Sequence, residues 1–291
     1  MFRSDLLKGK RILVTGGGTG LGKSMSQRFL ELGAEVAIAG RRKAVLDETA
    51  KALMQQTGGK VTTHAVDIRV PDAVEEMIAE IWAGGPLDAL VNNAAGNFIS
   101  RTEDLSPRAF DAIANIVLHG TFYTTNAVGK RWLAEGRGGS VLSILTTWVW
   151  TGSPYVTPSA MSKAGVAAMT KGLAVEWGPR GIRLNAIAPG PFPTEGAWAR
   201  LSPGSASNTR ANDTIPMRRV GEHSELANFA AFLLADEVAY ITGEVIAIDG
   251  GQWLNGAGTF ARLSSLTDED WKQIRESIRS TNAQDKMKRS V

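Results

Sequence analysis

The stretch RILVTGGGTGLG, residues 11–22, joins a short apolar run to the start of an amphipathic segment through a cluster of glycines. The glycines at positions 16, 20 and 22 permit a tight turn and let the backbone approach a pyrophosphate closely. The N–H groups that begin the following helix would then face the phosphates with the positive end of the helix dipole. A flexible turn would also use glycines, but the position directly after a buried strand favours a phosphate-binding loop.

Outward from this loop, short apolar runs alternate with amphipathic segments along the whole chain. Strands separated by helices of 10–20 residues indicate βαβ units and a parallel sheet. The sequence therefore predicts an α/β fold, with one doubly wound domain over residues 1–291. The predicted strands are 11–16, 35–40, 61–67, 87–96, 140–147, 182–190 and 241–251, and the predicted helices are 20–33, 43–57, 71–83, 107–134 and 158–178.

Two segments extend this predicted domain. Residues 190–215 are rich in Pro, Gly and Ser, which predicts a flexible loop that orders over a bound substrate. Residues 257–291 form a C-terminal tail. Within it, Thr267 followed by Asp270 is typical of a helix N-terminus, so we expect a helix over about 268–280.

Composition narrows the class of protein. The 291 residues carry a net charge of only +3, which argues against a dedicated nucleic-acid binder; the basic residues of 286–290 are expected to form a solvated terminus. There is no cysteine, which excludes disulfides, thiolate catalysis and cysteine metal sites, and we predict no bound metal. No apolar run approaches the roughly 18 residues that span a bilayer. Neither end reads as a targeting signal, so we expect a cytoplasmic protein without membrane insertion.

The end of the second predicted strand indicates which dinucleotide binds. An NAD site favours a carboxylate there, whereas this chain has Gly40, Arg41 and Arg42, with no acid before Asp47. Guanidinium groups suit a 2′-phosphate, which favours NADP(H). The alternative is that both arginines are solvated side chains at the start of a helix and bind no phosphate. Asp67, at the end of the third strand, is placed to meet the adenine or to cap the next helix.

Four motifs occur together: TGGGTGLG at 15–22, NNAAG at 92–96, a Ser-x3-Lys pair at 159–163 and PGPFPT at 189–194. In that order they resemble the short-chain dehydrogenase/reductase superfamily over nearly the whole chain. The resemblance implies a Rossmann-type fold, a nicotinamide cofactor and a homotetramer. The cofactor site that we predict comprises Gly16, Gly18, Thr19, Gly20, Leu21, Gly22, Arg41, Arg42, Asp67, Ile68, Asn93, Ala94, Lys163, Pro189, Gly190, Pro191 and Thr194.

The chain departs from that superfamily at the usual proton relay. Most members have a tyrosine four residues before the lysine, and the lysine lowers the pKa of that phenol. This chain has Ser159 at the tyrosine position, and a serine hydroxyl loses its proton far less readily than a phenol does. A frequent asparagine in the long helix is Val117, and Thr146 stands where a serine is common. Ketone or alcohol chemistry is therefore disfavoured, and a non-catalytic member remains an alternative.

The 2,4-dienoyl-CoA reductases are a subgroup that lacks this tyrosine, and the chain resembles them closely, above all the mitochondrial type. NNAAGNFIS (92–100), PSAMSKAG (158–165) and PGPFPTEGAWARL (189–201) carry the resemblance. Hydride addition to a conjugated dienoyl thioester places negative charge on the thioester oxygen, which calls for hydrogen-bond donors more than for a strong acid. The resemblance implies that Asn97 binds this oxygen, that Lys163 holds the nicotinamide ribose, and that Ser159 supports Lys163 or binds water. Asn97 could instead be a turn residue.

The proton donor is left open by the sequence. The mitochondrial enzymes have an oxygen-binding tyrosine fifteen positions before the lysine, where this chain has Trp148; an indole N–H donates a hydrogen bond but transfers no proton. Trp148 either donates to the thioester or forms a wall of the pocket. The peroxisomal type uses an aspartate at the position of Val117. Tyr155, expected to pack in a loop, and the distant His119 are the other candidates.

Resemblance to the subgroup also implies a binding site for an acyl-CoA. Its coenzyme A residues match Arg69, Ser106 and Arg200, and Phe98 matches an apolar contact near the thioester. Two alternatives stay open: a reductase of a 3-oxoacyl or 2-enoyl thioester, and an NADPH-binding homologue without catalysis.

Overall fold

The computed structural model describes residues 2–194, 214–258 and 260–289. Seven parallel strands form one sheet in the order β3-β2-β1-β4-β5-β6-β7, which confirms the predicted α/β, doubly wound architecture. The central strands β1, β4, β5 and β6 are short apolar runs that are buried on both faces, as parallel sheets require, whereas the edge strands β3 and β7 are only partly buried. The strands are β1 (Arg11–Thr15), β2 (Glu35–Gly40), β3 (Val61–Ala65), β4 (Ala89–Asn92), β5 (Gly139–Ile144), β6 (Ile182–Pro189) and β7 (Val245–Ile248).

Helices cover both faces of the sheet. One apolar cluster joins β1 to α1, α2 and α8, and another joins the opposite face to α3, α5 and α7. The helices are α1 (Gly20–Glu31), α2 (Lys43–Thr57), α3 (Pro71–Ala83), α4 (Pro107–Ala114), α5 (Gly120–Ala134), α6 (Trp148–Thr151), α7 (Thr157–Trp177), α8 (His223–Leu234), α9 (Gln252–Ala257) and α10 (Asp268–Arg289). No helix among the described residues combines the length and the apolar character needed to cross a bilayer.

Three differences from the predicted elements bear on the site. Strand β4 ends at Asn92 rather than at residue 96, because the next residues turn away to bond with the glycine loop. The helix predicted over 107–134 is divided by a π-helical segment, Asn115–His119. Helix α8 was not predicted, although Glu222 and Glu225 form a capping box at its start.

The chain divides into two compact units, Met1–Gln252 and Trp253–Val291. In the second unit, the backbone N–H of Asp270 donates to Thr267 Oγ1 (3.2 Å), and the Asp270 carboxylate accepts from the Thr267 N–H (2.8 Å). This reciprocal cap begins α10, which extends beyond the predicted residues 268–280 to Arg289. That the whole chain acts as one domain stays a prediction.

Candidate active site

The strand order reverses direction between β1 and β4, which leaves a crevice at their carboxyl ends. The glycine loop enters it with positive φ at Gly16 (67°) and Gly20 (53°), a region that favours glycine. At the start of α1, the N-cap residue Thr19 makes no side-chain capping bond, and no acidic side chain lies in the first turn. The positive end of this helix therefore meets the crevice without a carboxylate to compensate it.

The glycine loop is held in place by the segment that follows β4. Asn93 Nδ2 donates to the carbonyl oxygens of Thr15 (3.0 Å) and Gly16 (3.2 Å). The backbone N–H groups of Asn93 and Ala94 both donate to Thr15 Oγ1 at 3.1 Å. A Cβ on Gly22 would lie 2.6 Å from Asn93 Nδ2. Gly22 thus allows this close packing behind the loop.

A cavity of about 660 Å³ occupies the crevice. It is lined by every predicted catalytic residue and by every predicted cofactor residue except Gly22. These predicted lining residues are Asn97, Thr146, Trp148, Ser159 and Lys163 together with Gly16, Gly18, Thr19, Gly20, Leu21, Arg41, Arg42, Asp67, Ile68, Asn93, Ala94, Pro189, Gly190, Pro191 and Thr194.

Basic groups dominate the end of the cavity beside β2. Arg41 and Arg42 are exposed and line it, whereas the nearby Asp47 accepts from Lys43 Nζ (2.6 Å) and Thr63 Oγ1 (2.8 Å) and lies outside the lining. Asp67 is the only acid among the described lining residues. The local charge therefore suits an anion such as a 2′-phosphate.

Of the five residues predicted to bind substrate, Asn97 lines this cavity, whereas Arg69, Phe98 and Ser106 do not. Arg69 pairs with Asp67 (Nε to Oδ1, 2.9 Å), and this bond lowers the pKa of the Asp67 carboxyl. Ser106 is the N-cap of α4 and accepts from the Ala109 N–H at 3.2 Å, and Phe98 lies next to the cavity without lining it. Arg200 and most of the predicted loop 190–215 lie outside the described residues.

Lys163 projects from α7 into the cavity. Its Nζ donates to the carbonyl oxygen of Leu145 at 2.7 Å, and loss of hydration on burial lowers the pKa of Lys163 to about 8. Ser159, one turn earlier on α7, is almost fully buried at 1% exposure and lines the same cavity. The sequence did not identify Leu145, whose carbonyl position depends on how the chain leaves β5.

The orientation of the Asn97 side chain is fixed by a backbone bond. The Phe98 N–H donates to Asn97 Oδ1 at 2.9 Å. Because an N–H group requires an acceptor, this bond identifies the oxygen and nitrogen ends of the amide. The Nδ2 group is thus the end of Asn97 that can donate within the cavity.

Trp148 and Tyr155, the two aromatic candidates for the role of the missing tyrosine, lie in different places. Trp148 lines the cavity at the start of α6, a helix that was not predicted. Tyr155 lies outside the cavity, with a φ of 65° and 60% exposure, and its carbonyl accepts from the Ser100 N–H at 2.9 Å. None of the described lining residues is a tyrosine.

The π-helical segment decides which residue of the long helix reaches the cavity. Val117 is buried at 4% exposure and does not line it, whereas Ile116 does. His119 is exposed and packs beside Tyr123, with ring centroids 6.2 Å apart. His119 is therefore not in a position to give a proton within this cavity, and Val117 has no ionisable group to give one.

Comparison with known proteins gives one family over most of the chain. Residues 16–252 match the family model described as enoyl-(acyl carrier protein) reductase. A probable 2,4-dienoyl-CoA reductase of Caenorhabditis elegans, described as (3E)-enoyl-CoA-producing, is 42% identical, over 98% of this chain and 94% of its own. A probable (2E)-enoyl-CoA-producing 2,4-dienoyl-CoA reductase of Bacillus subtilis is 43% identical, over 84% of this chain and 97% of its own.

A solved structure shares the fold as well as the sequence. A short chain dehydrogenase from Bacillus anthracis superposes with a TM-score of 0.77 at 44% identity, over 84% of this chain and 97% of that one.

Proposed function

The chain belongs to the short-chain dehydrogenase/reductase family, and we propose that within it the protein is an NADPH-dependent 2,4-dienoyl-CoA reductase acting in the β-oxidation of unsaturated fatty acids. The observation that carries the proposal is the lining of the cavity. It retains Lys163 and Asn97 but has Ser159 at the position of the family phenol, and Tyr155 lies outside it. Such a site can stabilise charge on a thioester oxygen but has no phenol to protonate a ketone.

The family uses a nicotinamide cofactor, and we assign NADP(H) to this member. The glycine loop, the uncapped start of α1 and the two arginines beside β2 fit a dinucleotide with a 2′-phosphate. When bound, the nicotinamide supplies the hydride. The protein's part would be to hold it: the loop would face the pyrophosphate, Arg41 and Arg42 the 2′-phosphate, Asp67 the adenine, Lys163 the ribose and Thr194 the carboxamide.

The affinity for NADPH is expected to fall above about pH 8. Burial lowers the pKa of Lys163 to about 8, so the lysine is charged below that pH and becomes neutral above it. Since the charged form binds the anionic cofactor more tightly, the Kd should be constant from pH 6 to 7.5 and rise from pH 8 to 9.5. NADPH fluorescence titration measures this directly. A Lys163→Met variant should show a flat profile over the same range, and an equal rise in both proteins would contradict the assignment.

During reduction, negative charge accumulates on the thioester oxygen of the substrate. Asn97 Nδ2 donates to that oxygen while Oδ1 stays bound to the Phe98 N–H, so the donor requires no reorganisation. Lys163 adds positive charge to the same cavity. The proton that completes the reaction comes from water, since neither Ser159 nor the indole of Trp148 is an acid at neutral pH and the ammonium group of Lys163 is assigned to the nicotinamide ribose.

Trp148→Tyr is expected to keep or raise kcat for a dienoyl-CoA. A phenol can donate the hydrogen bond that an indole offers and can also transfer a proton. The measurement is steady-state kcat beside Trp148→Phe, which has neither group but keeps an aromatic wall. Complete loss of turnover in Trp148→Tyr would show that this side chain does not face the thioester.

Product analysis tests the proposed reaction. With 2,4-hexadienoyl-CoA and NADPH, we expect a monoenoyl-CoA two mass units heavier, with the thioester intact. In D2O, one deuterium should appear on carbon, and its position distinguishes a 3-enoyl from a 2-enoyl product. Recovery of unchanged dienoyl-CoA, with NADPH bound, would reject the assignment. Tetramer formation and a cytoplasmic location stay predictions.

A further inference from the structure

A second pocket of about 380 Å³ opens beside the main cavity. Its walls come from two loops, one that follows Asn97 and one that precedes α7. The Ser100 N–H donates to the Tyr155 carbonyl at 2.9 Å, and Thr102 Oγ1 lies 3.2 Å from Thr157 Oγ1, so hydrogen bonds join the two loops. The pocket is therefore a formed feature of the fold.

Trp148 borders both spaces. It lines the main cavity and the second pocket, and it is the residue that their linings share. The loop after β4 also contributes to both spaces, because Asn97 lines the cavity and Ile99, two residues later, lines the pocket. A ligand whose thioester oxygen is bound by Asn97 thus lies next to the entrance of the second pocket.

The surface of the pocket is apolar. Ile99, Pro154, Tyr155 and Val156 contribute hydrocarbon surface. Its two serine hydroxyls are used within their own loops: Ser100 Oγ donates to the Arg101 carbonyl (3.0 Å) and Ser153 Oγ to the Pro154 carbonyl (3.4 Å). Arg101 is the one charged lining residue described, and it is exposed.

We propose that this second pocket takes the distal end of the acyl chain, with the Trp148 ring as the wall between it and the reacting carbons. The proposal rests on the proposed function, since it places the thioester at Asn97. Hydrocarbon suits the pocket better than the pantetheine arm does, because the two amides of pantetheine would lose hydration against a mostly apolar lining, where only Arg101 and the Tyr155 hydroxyl, both on exposed side chains, could serve as partners. The affinity for an acyl-CoA should then depend on the length of its acyl chain, and it should rise about fourfold for each methylene that the pocket buries.

The test measures the Kd of hexanoyl-CoA and decanoyl-CoA by calorimetry in the presence of NADP+. These saturated esters report binding without turnover. The wild-type protein should bind decanoyl-CoA at least tenfold more tightly. Ile99→Trp, at a side chain that is 44% exposed, fills the pocket and should reduce that preference at least tenfold; Ser153→Trp fills it from the other loop. Val175→Trp, at a 79% exposed position of α7 outside both linings, should leave the preference unchanged.

Two results would overturn the proposal. One is an unchanged preference for decanoyl-CoA in both filled variants, provided that their circular dichroism matches the wild type. The other is equal weakening of both esters, which would place the pantetheine arm in the pocket. Failure of the proposed function is read separately: 2,4-hexadienoyl-CoA would not be reduced, whether or not the saturated esters show the preference.

Discussion

Replacing Lys163 with methionine should lower kcat/KM for a 2,4-dienoyl-CoA by about 10³-fold, the size of effect expected when a charged or donor group that stabilises the developing negative charge is removed. With a pKa of about 8, Lys163 carries its charge in about nine-tenths of the molecules at pH 7. Burial removes part of its hydration, so its field is screened less than that of a surface lysine. Because we also assign the ribose to Lys163, both NADPH binding and turnover should suffer.

The side chain of methionine has a similar length and no charge, which makes folding of the variant the expected outcome. Lys171→Met is the matched control, because Lys171 lies two turns later on α7 and is exposed. That variant should keep wild-type kcat/KM. Turnover of Lys163→Met within threefold of wild type would contradict the role given to this lysine.

Substitution of Asn97 is the second large effect. Asn97→Ala removes the Nδ2 donor, and we expect kcat to fall by 10²- to 10³-fold, as for loss of one oxyanion-hole donor. Asn97→Asp is the sharper variant. Its carboxylate still accepts from the Phe98 N–H, so the local turn is retained, but it presents negative charge where the substrate also becomes negative.

The two variants together distinguish a turn residue from a donor. A donor role predicts that Asn97→Asp loses at least as much kcat as Asn97→Ala, while NADPH affinity changes little in either. If Asn97 only shapes the turn, Asn97→Asp should retain activity because the bond to Phe98 persists. Initial rates at saturating NADPH and dienoyl-CoA decide between these outcomes.

The sequence predicted the parallel sheet well because the signals are local. Buried strands such as ILV at 12–14 and the glycines at 16, 20 and 22 need no distant partner to be recognised. The helix over 107–134 was predicted as continuous, because a π-helical segment of five residues leaves the apolar periodicity on either side intact. Helix α8 was missed even though its capping acids, Glu222 and Glu225, stand in the sequence.

The site was less accessible to sequence reasoning where it depends on contacts that no motif marks. The pairing of Arg69 with Asp67 involves residues two apart, and neither charge pattern nor motif separates that pairing from phosphate binding. The second pocket forms from segments about fifty residues apart and carries no pattern of its own. Residues with a motif, such as Lys163 and Asn97, were placed on the cavity as expected, although their chemical roles remain proposals.

The measurement that tests the central claim most directly is NADPH oxidation with three thioesters side by side: a short 2,4-dienoyl-CoA, the matching 3-oxoacyl-CoA and the matching 2-enoyl-CoA. A cavity that has Lys163 and Asn97 but no phenol in its described lining predicts turnover of the dienoyl-CoA alone. Comparable or faster turnover of the 3-oxoacyl-CoA would contradict the account, since it would require an acid that protonates a ketone at this site.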